Sequence, residues 1–310
     1  MSETATPPLL ILDGGMSREL VAFGAELRQP EWSALALMES PDIVERVHRA
    51  FIAAGADIVT TNSYALVPFH IGDDRFRTDA AILADRAGRL ARQAADVAGR
   101  PVLVAGSLPP LFGSYEPQKF EAAEAPKRLA VLVPALAPHV DLWLGETLSL
   151  IAEAEAVCAA VAATAKPVWI SFTLDDATND GPPRLRSGED VAAAAEWLAG
   201  RSTAAALLFN CSHPEVMAAA VETARPILDR IRPGIRLGVY ANAFAANDDD
   251  GAANETLSAV RQDLGPERYV AVAADWVAAG ASVVGGCCGI GCGHIEALSR
   301  RFALRGRGAQ

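Results

Sequence analysis

AAGADIVTTNSY, residues 53–64, and its near-copy AAGASVVGGCCG, residues 278–289, decide the fold of this chain. In each, the small residues of a helix end meet a glycine, the residue best suited to follow a helix in left-handed backbone. A short β-branched run comes next, then a polar or glycine-rich turn. The same unit recurs outward in both directions. Apolar runs at 9–12 (LLIL), 57–61 (DIVTT), 102–105 (VLVA), 141–144 (DLWL), 168–172 (VWISF), 206–209 (ALLF), 236–240 (RLGVY) and 282–284 (SVV) punctuate the chain. They do not alternate, and parallel strands covered by helices on both faces require that pattern.

Helical stretches fall between the runs, at 41–54, 78–98, 126–136, 151–163, 189–198, 214–230 and 269–279. The first has Pro41 in a favoured first-turn position, with Ser40 as the expected cap. Its Ile43, Val47, Ala50, Phe51 and Ala54 recur three or four apart, as one buried helix face does. Eight βα units predict the α/β class and a single-domain (β/α)8 TIM barrel over residues 1–310. A doubly wound eight-stranded sheet is the alternative. No early G-x-G-x-x-G after a strand favours it.

The 310 residues are 51% hydrophobic and 21% charged, too apolar for a disordered chain. No apolar run approaches the ~20 residues that span a bilayer. Lys and Arg number 27 against 38 Asp and Glu, a net charge of −11 with no basic block. That balance argues against nucleic acid and anionic membrane surfaces as partners. The N-terminus carries no signal-peptide pattern, so the expected location is cytoplasmic. There the five cysteines should be free thiols or metal ligands rather than a disulfide frame. A homo-oligomer is left open.

In such a barrel the chemistry sits at the C-terminal strand ends. The polar groups there include Asp13, Thr61, Ser107, Glu146, Ser171, Asn210, Cys211, Tyr240, Asn242, Cys287 and Cys288. Strands six and eight lie two apart around the ring, so their three cysteines can approach one another. Adjacent Cys287 and Cys288 converge only if the backbone bends, which flanking glycines permit. Three thiolates leave the fourth place of a tetrahedral zinc open, the pattern of a catalytic site. Three buried thiols that merely pack are the plain alternative. No lysine ends a strand, which disfavours Schiff-base chemistry. No histidine ends one either, and His213 reads as the start of a helix beside Pro214. Asp13 and Glu146 could act as an acid/base pair or hold a cationic amino group. Equally, Asp13 could form a turn into Gly14-Gly15, and Glu146 could cap the next helix.

The pieces LDGGMSREL (12–20), ADIVTTNSYAL (56–66), GETLSLIAEAEAV (145–157), ISFT (170–173), FNCSHP (209–214) and VGGCCG (284–289) together resemble the zinc-dependent homocysteine S-methyltransferase family. The resemblance runs through nearly the whole chain in family order. It implies a (β/α)8 barrel, Zn2+ on Cys211, Cys287 and Cys288, and homocysteine as methyl acceptor, giving methionine. It also implies that Glu146 and Asp13 hold the amino-acid end, with Gly14 and Thr61 adding contacts and Asn210 orienting the Cys211 turn.

Two segments depart from the family pattern. Tyr240-Ala241-Asn242-Ala243 stands where many stand-alone members have a Tyr-Pro-Asn segment. Ile290-Gly291-Cys292-Gly293-His294 replaces a Thr-rich turn, which makes Cys292 a spare thiol. The departures bear on the methyl donor. A small, freely diffusing sulfonium such as S-methylmethionine is the expected donor, with betaine and methyl-folate behind it. Its cation would meet Tyr240, Phe244 or Trp32 at short range and the acidic loop 248–250 at long range. A non-catalytic zinc- or thiol-binding or redox-sensing barrel is the competing class. Tyr240 and Asn242 are further candidates for substrate contact, or for the fourth metal position.

Overall fold

The computed structural model describes residues 8–176, 181–244 and 261–306. The acidic loop 248–250 lies outside these residues, as does part of the polar loop 175–183.

Eight strands run parallel: β1 (Leu10–Ile11), β2 (Ile58–Thr60), β3 (Leu103–Leu108), β4 (Leu142–Leu148), β5 (Val168–Phe172), β6 (Ala204–Asn210), β7 (Arg236–Tyr240) and β8 (Val283–Val284). Their order is β1-β8-β7-β6-β5-β4-β3-β2. A parallel bridge from Leu12 to Ile58 joins the two ends of that series. Asp57 reinforces the seam: its N–H donates to the Ile11 carbonyl at 2.7 Å, and its carboxylate accepts the Ile11 N–H at 3.0 Å. The sheet is therefore a closed barrel, and the doubly wound alternative, which needs two open edges, is excluded.

The helices are α1 (Met16–Ala22), α2 (Ser33–Glu39), α3 (Pro41–Ala53), α4 (Pro68–Ile71), α5 (Asp73–Asp96), α6 (Ala125–Leu136), α7 (Ile151–Val161), α8 (Val191–Ala199), α9 (Pro214–Ile231), α10 (Pro266–Ala279) and α11 (Cys292–Gly306). Each of the seven expected helical stretches is found, with ends shifted by a few residues. The short α1, α2 and α4 were not legible, because four to seven residues carry too little periodicity, and the longer α11 was not among the expected stretches either. Ser40 makes no side-chain cap bond to α3, contrary to expectation. Pro41 starts the helix, and Asp42 sits in its first turn. Gly55 (φ 105°) and Gly280 (φ 118°) hold the left-handed conformation predicted for the residues that end α3 and α10.

Two apolar layers result. Leu12, Ile58, Leu144, Trp169, Leu208 and Val283 fill the barrel interior. A larger layer between strands and helices includes Phe51, Trp143, Phe172, Phe209 and Trp276. No helix among the described residues is long and apolar enough to cross a membrane.

Candidate active site

β4 positions the first functional group. The strand runs past the expected end at Leu144, and its pairing with β5 shifts between Gly145 and Leu148. Thr147 there adopts a φ of 58°. This kink turns Glu146 into the barrel mouth rather than onto a helix end. The cap of α7 is Glu153 instead, whose carboxylate accepts the N–H groups of Ser149 and Leu150. Glu146 is 9% exposed. Its oxygens accept hydrogen bonds from the Ser107 hydroxyl and, at 3.3 Å, from the Tyr240 hydroxyl. Burial raises its pKa to about 7 despite both donors.

Asp13 follows β1. It does not turn into Gly14-Gly15 but reaches across the barrel seam, accepting the Thr60 N–H at 2.7 Å and the Thr60 hydroxyl at 3.0 Å. Burial is the largest influence on it, and the charge of Glu146 adds to it. Together they outweigh the Thr60 bonds and raise its pKa to about 8. Gly14 and Gly15 are required by close approach. A Cβ on Gly14 would stand 2.4 Å from the Ile290 carbonyl oxygen, and one on Gly15 would stand 2.5 Å from that of Cys287. The β1 and β8 turns thus pack backbone to backbone. Thr61 turns its hydroxyl toward Ser63 at 2.8 Å and accepts the Ser107 N–H at 3.0 Å.

The three cysteines converge as predicted. Their sulfurs all lie within 4.8 Å of one another. Cys211 sits at a φ of 52°, just past β6. The bend at Cys287-Cys288 is made by a turn that returns the Ile290 N–H to the Cys287 carbonyl, with Gly289 left-handed at φ 82°. Gly285 and Gly286 serve close packing: a Cβ on either would fall within 2.6 Å of Leu12 or Ile290. The Tyr269 hydroxyl braces the same turn from α10, donating toward the Gly285 carbonyl at 2.7 Å and the Ala241 carbonyl at 3.2 Å.

One expectation is corrected here. Cys211 and Cys287 form a disulfide, so the cysteines are not all free thiols. Their Cα atoms are 5.7 Å apart, within the usual disulfide range, so convergence sufficient to share a metal is also sufficient to bond. Cys158, Cys288 and Cys292 are free. The cluster still fits a tetrahedral ion. Cys288 sulfur lies 3.9 Å from each of the other two, close to the ~3.8 Å edge that four ligands at 2.3 Å would make. Reduction of the disulfide frees the remaining donors. Burial pushes the Cys288 thiol up to about 11, with Glu146 adding to the rise and Arg18 opposing it.

Asn210 is fully buried behind this cluster. Its amide oxygen accepts the Thr147 N–H at 2.9 Å and the Ser171 hydroxyl at 2.6 Å, and its amide nitrogen donates to the Thr147 hydroxyl at 2.8 Å. Asn242 also stands outside the cavity wall, accepting the Phe244 N–H at 3.2 Å. His213 precedes Pro214 at the start of α9, as expected.

Asp13, Gly14, Thr61, Glu146, Cys211, Cys287, Cys288 and Tyr240 line one cavity at the C-terminal mouth. Trp32, Tyr64, Tyr115 and Phe244 supply its aromatic faces, and Arg18 joins the wall from α1. Trp32, Tyr115, Thr147 and Cys211, four of the five non-glycine residues with positive φ among those described, belong to this wall. Each such residue costs about 1–3 kcal/mol, which the surrounding contacts offset. Sequence reading missed Arg18, Tyr64 and Tyr115. Arg18 was within a quoted motif, but only the turn of α1 brings it to the cavity. Tyr115 follows no strand and carries no local signal. The Arg186 guanidinium stacks over its ring at 5.1 Å and pairs with Asp176 at 2.9 Å.

The family described as homocysteine S-methyltransferase matches residues 10–302. Among curated relatives, the homocysteine S-methyltransferase of Escherichia coli is 33% identical, covering 94% of this chain and 95% of its own. The crystal structure of the E. coli homocysteine methyltransferase MmuM in its metallated form superposes with a TM-score of 0.74. Its identity is 28%, covering 94% of this chain and 96% of that one. The oxidized form of the same enzyme gives a TM-score of 0.74 at 27% identity, with the same coverage.

Proposed function

The chain belongs to the homocysteine S-methyltransferase family, and from that premise we propose how its cavity carries out methyl transfer. Homocysteine places its sulfur at Cys211, Cys287 and Cys288 and its ammonium between Asp13 and Glu146. A small sulfonium such as S-methylmethionine is the donor. The observation that carries this reading is the sharing of one cavity by a three-sulfur cluster and two buried carboxylates.

Zinc is the metal we assign to the cysteines; when bound, it offers a position at which an acceptor thiol is held as thiolate. The protein's own residues do the rest. Ser107 and Tyr240 hold Glu146 in place, and Thr60 holds Asp13. An ammonium between the two carboxylates favours their charged forms and fixes the direction of the acceptor's chain. Asn210, the residue preceding Cys211, holds the β4 kink through Thr147, so that Glu146 and the sulfur cluster keep their relative position. Trp32, Tyr115 and Phe244 exclude water and face the donor's cationic centre, each well-placed ring contributing about 0.5–2 kcal/mol. The acceptor's sulfur forms a bond to the donor's methyl carbon, while the donor's sulfur leaves with the electron pair of the broken bond. We read residues 1–310 as one homocysteine-binding barrel. We place it in the cytoplasm, where thiols stay reduced.

Reduced, zinc-supplied protein incubated with homocysteine should form methionine, fastest from S-methylmethionine in a panel with betaine and methyl-folate. No methionine from any donor would remove the reading. A preference for methyl-folate would overturn the donor alone.

A further inference from the structure

We propose that the Asn62 amide oxygen and the Ser33 hydroxyl form a subsite for the ammonium group of the methyl donor, and so favour donors that carry one. The inference rests on the methyltransferase reading above and adds two specificity residues to it.

Thr60, Thr61 and Asn62 close β2 and open its turn, and the first two are used up inside the protein. Thr60 gives its N–H and its hydroxyl to Asp13. Thr61 pairs its hydroxyl with that of Ser63 and accepts the Ser107 N–H. Asn62 differs. Its amide nitrogen donates to the Ser33 carbonyl at 3.1 Å. A carbonyl only accepts, so this bond fixes which way the amide faces and turns its oxygen elsewhere. Among the described residues no donor meets that oxygen, and the atom is not sealed in the interior. Asn62 is 4% exposed and belongs to the cavity wall, so the oxygen opens into the cavity. The same holds for the hydroxyl of Ser33, a residue 3% exposed in the same wall. Two buried residues joined to each other thus each present a polar atom to the cavity.

Such oxygens call for a hydrogen-bond donor, and a charged donor makes the stronger bond. The amide oxygen repels a carboxylate. Asp13 and Glu146 already serve the acceptor's ammonium in the reading above. Ser33 directly follows Trp32, a ring assigned there to the donor's cationic centre, so the subsite falls on the donor's side. S-Methylmethionine carries an ammonium besides its sulfonium. Betaine has a quaternary nitrogen with no hydrogen to give.

The test uses reduced, zinc-loaded protein with homocysteine as acceptor. S-Methylmethionine is compared with its desamino analogue, a dimethylsulfonio butanoate with hydrogen in place of the ammonium. The KM or inhibition constant of each is measured in wild type, Asn62→Leu and Ser33→Ala. Asn62→Leu should raise the S-methylmethionine KM about tenfold or more relative to the analogue's constant, and Ser33→Ala about threefold. Ser33→Ala keeps the carbonyl that holds Asn62, and carries the test alone if the Leu variant does not fold. An unchanged ratio of the two constants in either folded variant, or a loss carried by the homocysteine KM, overturns the inference. Wild-type protein that forms no methionine from homocysteine and S-methylmethionine removes the reading beneath it, and is distinguished from the first failure by that absence of product.

Discussion

Asp13 and Thr60 are joined twice across the seam where β1 meets β2: the carboxylate accepts both the Thr60 N–H at 2.7 Å and its hydroxyl at 3.0 Å. A group proposed to bind substrate thus also closes the barrel, and its two roles can be separated by substitution. Asp13→Asn keeps an oxygen for Thr60 but loses the charge. It should raise the homocysteine KM by about 3–5 kcal/mol equivalent, the typical cost of removing one partner of a buried charge pair. Asp13→Ala should in addition lower stability by about 1–3 kcal/mol, because the Thr60 donors lose their acceptor. Steady-state kinetics and denaturant unfolding read the two effects. An unchanged homocysteine KM in Asp13→Asn would contradict the assigned role.

Binding should release protons. Asp13, with its pKa raised to about 8, and Glu146, raised to about 7, hold protons near neutral pH. An ammonium placed between them lowers both values. Methionine has the same amino-acid end with no thiol proton, so its binding isolates this effect. Calorimetry at pH 7 in buffers of different ionisation enthalpy should show net proton release, reduced in Glu146→Gln.

Stability should decline as the pH rises from about 4.5 to about 8. Asp13, Glu146 and Glu153 all have raised folded-state values, about 8, about 7 and about 7. Between their ordinary values near 4 and these raised ones, the folded chain binds more protons than the unfolded one, so raising the pH costs stability. His48 acts in the opposite direction. It is fully buried, neither ring nitrogen has a hydrogen-bond partner, and burial lowers its pKa from 6.5 to about 4. Its contribution is present above pH 6.5 and is lost as the pH falls toward 4, by about 3 kcal/mol at most. Denaturant midpoints should therefore fall across this range and level off above about pH 8. Glu146→Gln should make that fall shallower, and His48→Leu, which removes the opposing contribution, should make it steeper below pH 6.5.

Metal loading should require reduction. With Cys211 and Cys287 joined, only Cys288 of the cluster can offer a thiolate. Metal analysis should find zinc bound after thiol reduction and absent from the oxidised protein. Cys211→Ser, Cys287→Ser and Cys288→Ser should each remove it, whereas Cys292→Ser should retain it. Full occupancy in Cys287→Ser would contradict the ligand set.

Asn210→Ala should weaken zinc binding although Asn210 is not itself among the proposed ligands; its amide nitrogen lies 4.0 Å from the Cys287 sulfur. The change removes the acceptor for the Thr147 N–H and the Ser171 hydroxyl, both buried. Stability should fall by about 1–3 kcal/mol per orphaned group. Zinc affinity should fall about 10–100-fold, the usual effect of losing an outer support of a metal site. Metal titration of the folded variant measures the second effect apart from the first.

The amino-acid sequence by itself determined the eight strands and the closing class of the barrel, because two-sided burial and the Gly55 and Gly280 helix ends are local properties of a few consecutive residues. It also singled out Cys211, Cys287, Cys288, Asp13 and Glu146, through strand-end position together with the family resemblance. Only the tertiary structure decided what those groups meet. Asn210 reaches Thr147 across 63 residues, and Cys211 bonds Cys287 across 76. Asp13 latches onto Thr60 only once β1 and β2 adjoin, and Arg18 enters the wall only once α1 has turned. The raised carboxylates and the lowered His48 arise in the same way, since desolvation belongs to the packed chain and has no counterpart in residue order.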